Sequence, residues 1–273
     1  MTTAGLPGDL HRLFADGGGG RRLSVALPSG AVVWPDPGYA QRYPSRRPAM
    51  WLSDGPVNGE LWARLRADHA GSGLWPVLLE DSTQPWSAGQ IAPEPVAEIG
   101  HYDPAAFMAE VWADWVGRQD DEAAIEDLAP YGRYSPGLAE PAQLTADPGA
   151  VADRYAEVLA DGSRLLGLVA VQRGADALAA IGWQGALYHN EWTAPLAAVL
   201  RGWEERFGVR VVGMGFNTLE LSVAAPPTTS RHALQLAAEH WAFCPDAVFQ
   251  GPGTLTGYAE QLRATPTWSF WWD

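Results

Sequence analysis

The chain has 273 residues, and all 18 of its basic side chains are arginine, because it contains no lysine. That excludes chemistry needing an amine, such as a Schiff-base lysine, a Ser-Lys pair or a P-loop lysine, since a guanidinium stays protonated and is no nucleophile. With 32 acidic residues the formal net charge is -14, which makes nucleic acid and anionic membrane surfaces poor partners and points to a basic protein as the better one. A single cysteine, Cys244, excludes an internal disulfide and fits a reducing compartment. The opening residues lack the basic and apolar regions of a signal peptide, and no stretch approaches a membrane span, so a cytoplasmic location is expected.

The opening segment is expected to be weakly ordered as far as the glycine run 17–20. Residues 22–27 and 31–34 read as two short strands around the turn Pro28-Ser29-Gly30. After a Pro- and Arg-bearing loop, 50–52 reads as a strand and 58–69 as a helix with Leu61, Trp62 and Leu65 on one face. The apolar run LWPVLL at 74–79 predicts a strand buried on both sides. Asp103 as N-cap and Pro104 in the first turn start a helix to about residue 116, with Phe107, Val111 and Trp115 repeating every four residues. The acidic block 120–127 reads as a solvated face or loop, and the stretch from there to Pro148 as a linker.

Asp147 and Pro148 open a helix to about residue 160, followed by a strand at 165–172 and a short helix at 175–181. Thr193 as N-cap starts an amphipathic helix with Leu196, Val199, Leu200, Trp203 and Phe207 on one face, closed by Gly208. Strands at 209–212 and 218–223, a helix from 229 or 230 to 243 stopped by Pro245, a helix at 254–263 and a closing strand at 268–272 complete the pattern. The closing strand, with Trp268, Trp271 and Trp272, is expected to pack on both faces. The order predicts an α+β fold: a mixed or antiparallel sheet with helices packed on it, and a smaller α+β region at the N-terminus. The division is 1–145, the more acidic region, and 146–273, a second α+β domain, with a shared sheet left open.

No HExxH, paired cysteines, Gly-x-Ser-x-Gly, strand-borne GxGxxG or EF-hand loop is present. The remaining constellation is His240, Cys244 and Asp246, with His240 and Cys244 four apart near a helix C-terminus. A thiolate beside an imidazolium could act as a nucleophile, and the three side chains could ligate a transition metal. A helix C-terminus disfavours a thiolate and favours a protonated His240, and the metal set is one ligand short, so the competing reading is a buried neutral Cys244 and a capping His240. No cofactor or metal is expected. Tyr188, His189, Asn190 and Glu191 form a polar segment that is either a binding loop or an ordinary turn before a helix. The 14 tryptophans exceed what a core needs, and Trp and Arg are the side chains that dominate protein interfaces.

Four segments in order, GWEERFG, PPTT, AAEHWAFCPD and WSFWWD, give the last hundred or so residues a resemblance to the bacterial family of domain of unknown function 4253. The earlier part, with MWLSD and GLWPVLL, resembles the extension of actinobacterial members, and the missing lysine fits a high-GC genome. The resemblance carries over no activity, substrate or cofactor. It implies only that Trp203, His240, Cys244, Pro245, Asp246, Trp268, Trp271, Trp272 and Asp273 lie within family motifs. The expected function is a non-enzymatic cytoplasmic protein-binding module of the immunity or accessory type. The alternative is a small hydrolase or transferase using Cys244 and His240.

Overall fold

A computed structural model describes residues 5–81, 85–186 and 190–273, so Tyr188 and His189 of the polar segment lie outside the described residues. Among the described residues one seven-stranded sheet forms from β1 (Gly30–Val33), β2 (Met50–Ser53), β3 (Leu74–Leu79), β4 (Leu165–Ala170), β5 (Arg210–Met214), β6 (Thr218–Ser222) and β7 (Thr267–Trp271). The spatial order is β1-β2-β4-β3-β5-β6-β7, antiparallel throughout except for the parallel pair β3 and β5. The protein is therefore an α+β fold on a mixed sheet. β3 lies between β4 and β5, so the sheet draws strands from both parts of the sequence, and all six β3 residues are buried as their apolar run predicts. Pro76 cannot donate to a ladder. The ladder to β5 covers only Leu78 and Leu79, and the Trp75 indole reaches the Val211 carbonyl at 3.0 Å.

Helices cover both faces of the sheet. They are α1 (Gly59–Ser72), α2 (Pro104–Gly117), α3 (Glu122–Glu126), α4 (Pro148–Leu159), α5 (Ala177–Ile181), α6 (Ala194–Phe207), α7 (Ser230–Phe243), α8 (Pro245–Phe249) and α9 (Leu255–Leu262). Side-chain acceptors at Asn58, Asp103, Asp147, Thr229 and Thr254 satisfy first-turn amides, as expected of N-caps, and Gly73 and Gly208 end their helices at φ 68° and 63°. On one face, Tyr155 of α4 donates to Glu220 of β6 at 2.6 Å, and Arg66 of α1 binds Asp153 of α4. On the other, Trp203 of α6 stacks on Phe270 of β7 at 5.6 Å, with Phe207, Phe243 and Trp268 packed around the pair.

Several local expectations are corrected by tertiary contacts. Residues 22–27 form no strand: β1 pairs with β2, and Ser24 is held by Asp68 of α1 instead. Within the opening segment a 3-10 helix at Gly8–Leu13 buries Leu10 and Leu13, so these residues are packed and not weakly ordered. β7 is an edge strand with one buried face; Trp268, Phe270 and Trp272 point inward while Trp271 is 39 % exposed, the alternation that strand pleating imposes. Thr193 does not cap α6 with its side chain. Glu94 does, one carboxylate oxygen accepting from Thr193 N at 2.6 Å and the other from Ala194 N at 3.1 Å.

The stretch expected as a linker is fastened to the helices. Glu239 of α7 accepts from Ala139 N at 2.6 Å, from Trp203 Nε1 at 2.8 Å and from both terminal nitrogens of Arg206 at 2.7 and 2.6 Å. Arg206 also donates to the Ala139 carbonyl, and its own carbonyl accepts from Ala142 N. The Glu239 side chain is 2 % exposed and that of Arg206 12 %. Removing one member of such a pair leaves a buried charge uncompensated. Glu239→Ala is therefore expected to lower the unfolding free energy by about 3–5 kcal/mol in urea titration, and a loss below about 1 kcal/mol would show that the pair is not the tie described here.

Candidate functional site

The helix containing His240 stops at Phe243, and Pro245 begins the next one, so Cys244 sits at a chain corner. Its Sγ donates to the Trp271 carbonyl at 3.1 Å, and burial, with Asp246 nearby, pushes the thiol up to about 12. It is a neutral donor inside the protein. His240 is fully buried, with ring centroids of Trp268, Trp203 and Phe270 at 4.4, 4.9 and 4.9 Å and its Nδ1 3.1 Å from the Tyr258 hydroxyl. Burial, helped by Arg206, holds the imidazole well below its usual range. A protonated, capping His240 is thus replaced by a neutral core ring, because desolvation outweighs the helix-end dipole. Asp246 accepts from Asp273 N at 3.0 Å and from Gln250 Nε2 at 3.1 Å. The three residues are neighbours in sequence, yet the Cys244 thiol and the His240 ring hydrogen-bond to Trp271 and Tyr258 and not to each other. Among the described residues no three His, Cys, Asp or Glu side chains form a group able to hold a metal ion.

A different feature emerges at α2, which carries two neighbouring apolar stripes. Met108, Trp112 and Val116 are buried, whereas Phe107, Val111 and Trp115 are only half-buried and line a groove of about 470 Å³. Glu110 and Asp114, one turn apart, lie beside the second stripe, and both are exposed. Further lining comes from Asn190, Glu191 and Trp192 ahead of α6 and from Trp241 and Ala242 at the end of α7. The groove thus holds three carboxylates, of Glu110, Asp114 and Glu191, against one guanidinium, Arg118. Among the described residues none of the four joins an ion pair. Trp115 stacks on Phe249 at 5.4 Å and meets Trp241 edge-on at 5.2 Å, which makes the aromatic wall rigid. Trp192 already carries the Arg42 guanidinium 3.6 Å from its ring centre.

The polar segment therefore contributes Asn190 and Glu191 to a groove. The sequence signal for the groove was the width of the apolar arc on α2: beside the 107/111/115 repeat runs a second one at 108/112/116, and the second occupies the core.

Residues 165–273 match the family model of a domain of unknown function, DUF4253, the family the C-terminal motifs resemble. No curated protein and no solved structure matches the chain.

Two measurements follow from the buried pair. Cys244 in the folded protein should react with a thiol reagent at pH 8 at least about a hundredfold more slowly than a free thiol, and at the normal rate in denaturant; rapid native labelling would overturn its placement. His240 titrates lower when folded than the value of about 6.5 it has when unfolded, so the unfolded state takes up more protons as pH falls below that value. Stability should then drop by up to about 1.4 kcal/mol per pH unit on its account. Unfolding curves of wild type and His240→Gln between pH 7 and 5 should differ in slope by that amount, and parallel slopes would contradict the neutral assignment.

Proposed function

We propose that the protein is a non-enzymatic cytoplasmic binding module, of the immunity or accessory kind, whose α2 groove receives an arginine- or lysine-bearing segment of a basic protein partner. The observation that carries this reading is the half-buried Phe107, Val111 and Trp115 stripe flanked by the exposed carboxylates of Glu110 and Asp114, which join no ion pair among the described residues. An aromatic wall attracts a cation through its ring faces, and carboxylates at its edge supply steering and charge-assisted hydrogen bonds. The Arg42 guanidinium over Trp192 is an internal instance of the same contact. No helix among the described residues is long and apolar enough to cross a membrane, which is compatible with a cytoplasmic setting. The competing hydrolase or transferase needs an accessible thiolate beside a base, and the Cys244 thiol is buried with a carbonyl as its partner.

The reading is tested by titrating the protein with an arginine-rich decapeptide and following tryptophan fluorescence. Saturable binding is expected, weakened at least about tenfold by Asp114→Arg and by salt at about 0.5 M, because exposed charges are screened. Asp54→Arg, an exposed reversal away from the groove, should leave it intact. Absence of saturation, or equal weakening by the two reversals, would count against the groove as the binding surface.

A further inference from the structure

A second opening, a cleft of about 570 Å³, lies where the chain leaves β4 at Ala170, Val171 and Gln172. Four of the 18 arginines line it, Arg21, Arg47, Arg173 and Arg201, against two carboxylates, Asp16 and Asp176. Arginines outnumber carboxylates in the lining itself, on a chain of net charge -14. The arginines come from separate segments, and three of them are held by carboxylates. Asp176, with a side chain 3 % exposed, takes Arg201 through Nε at 2.6 Å, and among the described residues the terminal nitrogens of Arg201 make no hydrogen bond. Arg173 is anchored by Glu205 at 2.8 Å and Glu204 at 3.5 Å, and donates to the Arg201 carbonyl at 3.3 Å. Arg21 pairs with Asp16 at 2.9 Å and lies over the Phe14 ring at 4.3 Å. The exposed Arg47 side chain has no ion-pair or hydrogen-bond partner among the described residues.

Guanidiniums fixed by carboxylates are preorganised donors. A carboxylate accepts mainly in its own plane, whereas a tetrahedral phosphate accepts from several directions, as arginines on separate walls would offer. Leu13, Phe14, Val96 and Val171 add apolar lining, and the volume is in the range of small-molecule sites. From this arrangement we propose that the cleft binds a small organic phosphate monoester. The site is separate from the α2 groove and independent of the function proposed for it.

The test is calorimetric titration of the full chain with phenyl phosphate, inorganic phosphate and benzoate. Saturable one-site binding of phenyl phosphate, tighter than that of the other two, is expected. Arg47→Glu should weaken it about tenfold and Arg22→Glu, an exposed reversal outside the cleft lining, should not. Both variants alter exposed side chains that join no ion pair, so unchanged unfolding midpoints should accompany the result. No saturable binding, benzoate or inorganic phosphate binding as tightly as phenyl phosphate, or equal loss in both variants would overturn the proposal.

Discussion

The buried carboxylate of Glu239 is the point to which the C-terminal half of the structure is tied. It joins α7 to α6 through Arg206 and Trp203, and both helices to the strap ahead of α4 through Ala139. Two charges taken out of water are tolerated only when nearly every donor and lone pair finds a partner. Each Glu239 oxygen has at least two partners, and Arg206 spends one terminal nitrogen on a second acceptor, the Ala139 carbonyl. The strap, rich in proline and glycine, forms no sheet or helix of its own here and is positioned by this node.

The same node explains what the family motifs are for in structural terms. GWEERFG supplies Trp203 and Arg206, AAEHWAFCPD supplies Glu239 and His240, and WSFWWD supplies Trp268 and Phe270. These side chains meet in one aromatic cluster that has the neutral His240 ring near its centre. Cys244 and Trp271 are likewise joined, thiol to carbonyl, across the corner where α7 gives way to α8. Segments far apart in sequence are thus parts of one packing unit, joined by the hydrogen bonds of Glu239 to Arg206 and Trp203 and of Cys244 to Trp271.

Two surfaces lie outside that unit and differ in sign. The α2 groove gathers carboxylates beside rings, and the cleft beyond β4 gathers guanidiniums beside aliphatic side chains. The absence of lysine matters more at the second, because a planar fork can bind a carboxylate with one edge and still present donors with the other, as Arg201 does towards Asp176. At the groove the carboxylates are exposed, and among the described residues they join no ion pair.

Most helices were legible in the sequence because their signals are local: Asp103 with Pro104, Asp147 with Pro148, Thr254, and the closing glycine at 208 act within one turn. The burial of β3 was legible from its apolar run, and the exclusion of amine chemistry from composition alone. The order of strands was not, because nothing local to 74–79 says that it lies between β4 and β5. Nor was the cap of α6, whose acceptor Glu94 is 99 residues from Thr193. His240 and Cys244 were visible as a motif, but their protonation depends on what surrounds them, and desolvation by the aromatic cluster is a tertiary effect. By itself the sequence determined the helices, the apolar strands and the available chemistry, since those follow from near-neighbour sterics, periodicity and side-chain type. Only the tertiary structure decided which α2 stripe faces the core, which arginines gather at one cleft and which polar groups become neutral, because each depends on contacts between residues distant along the chain.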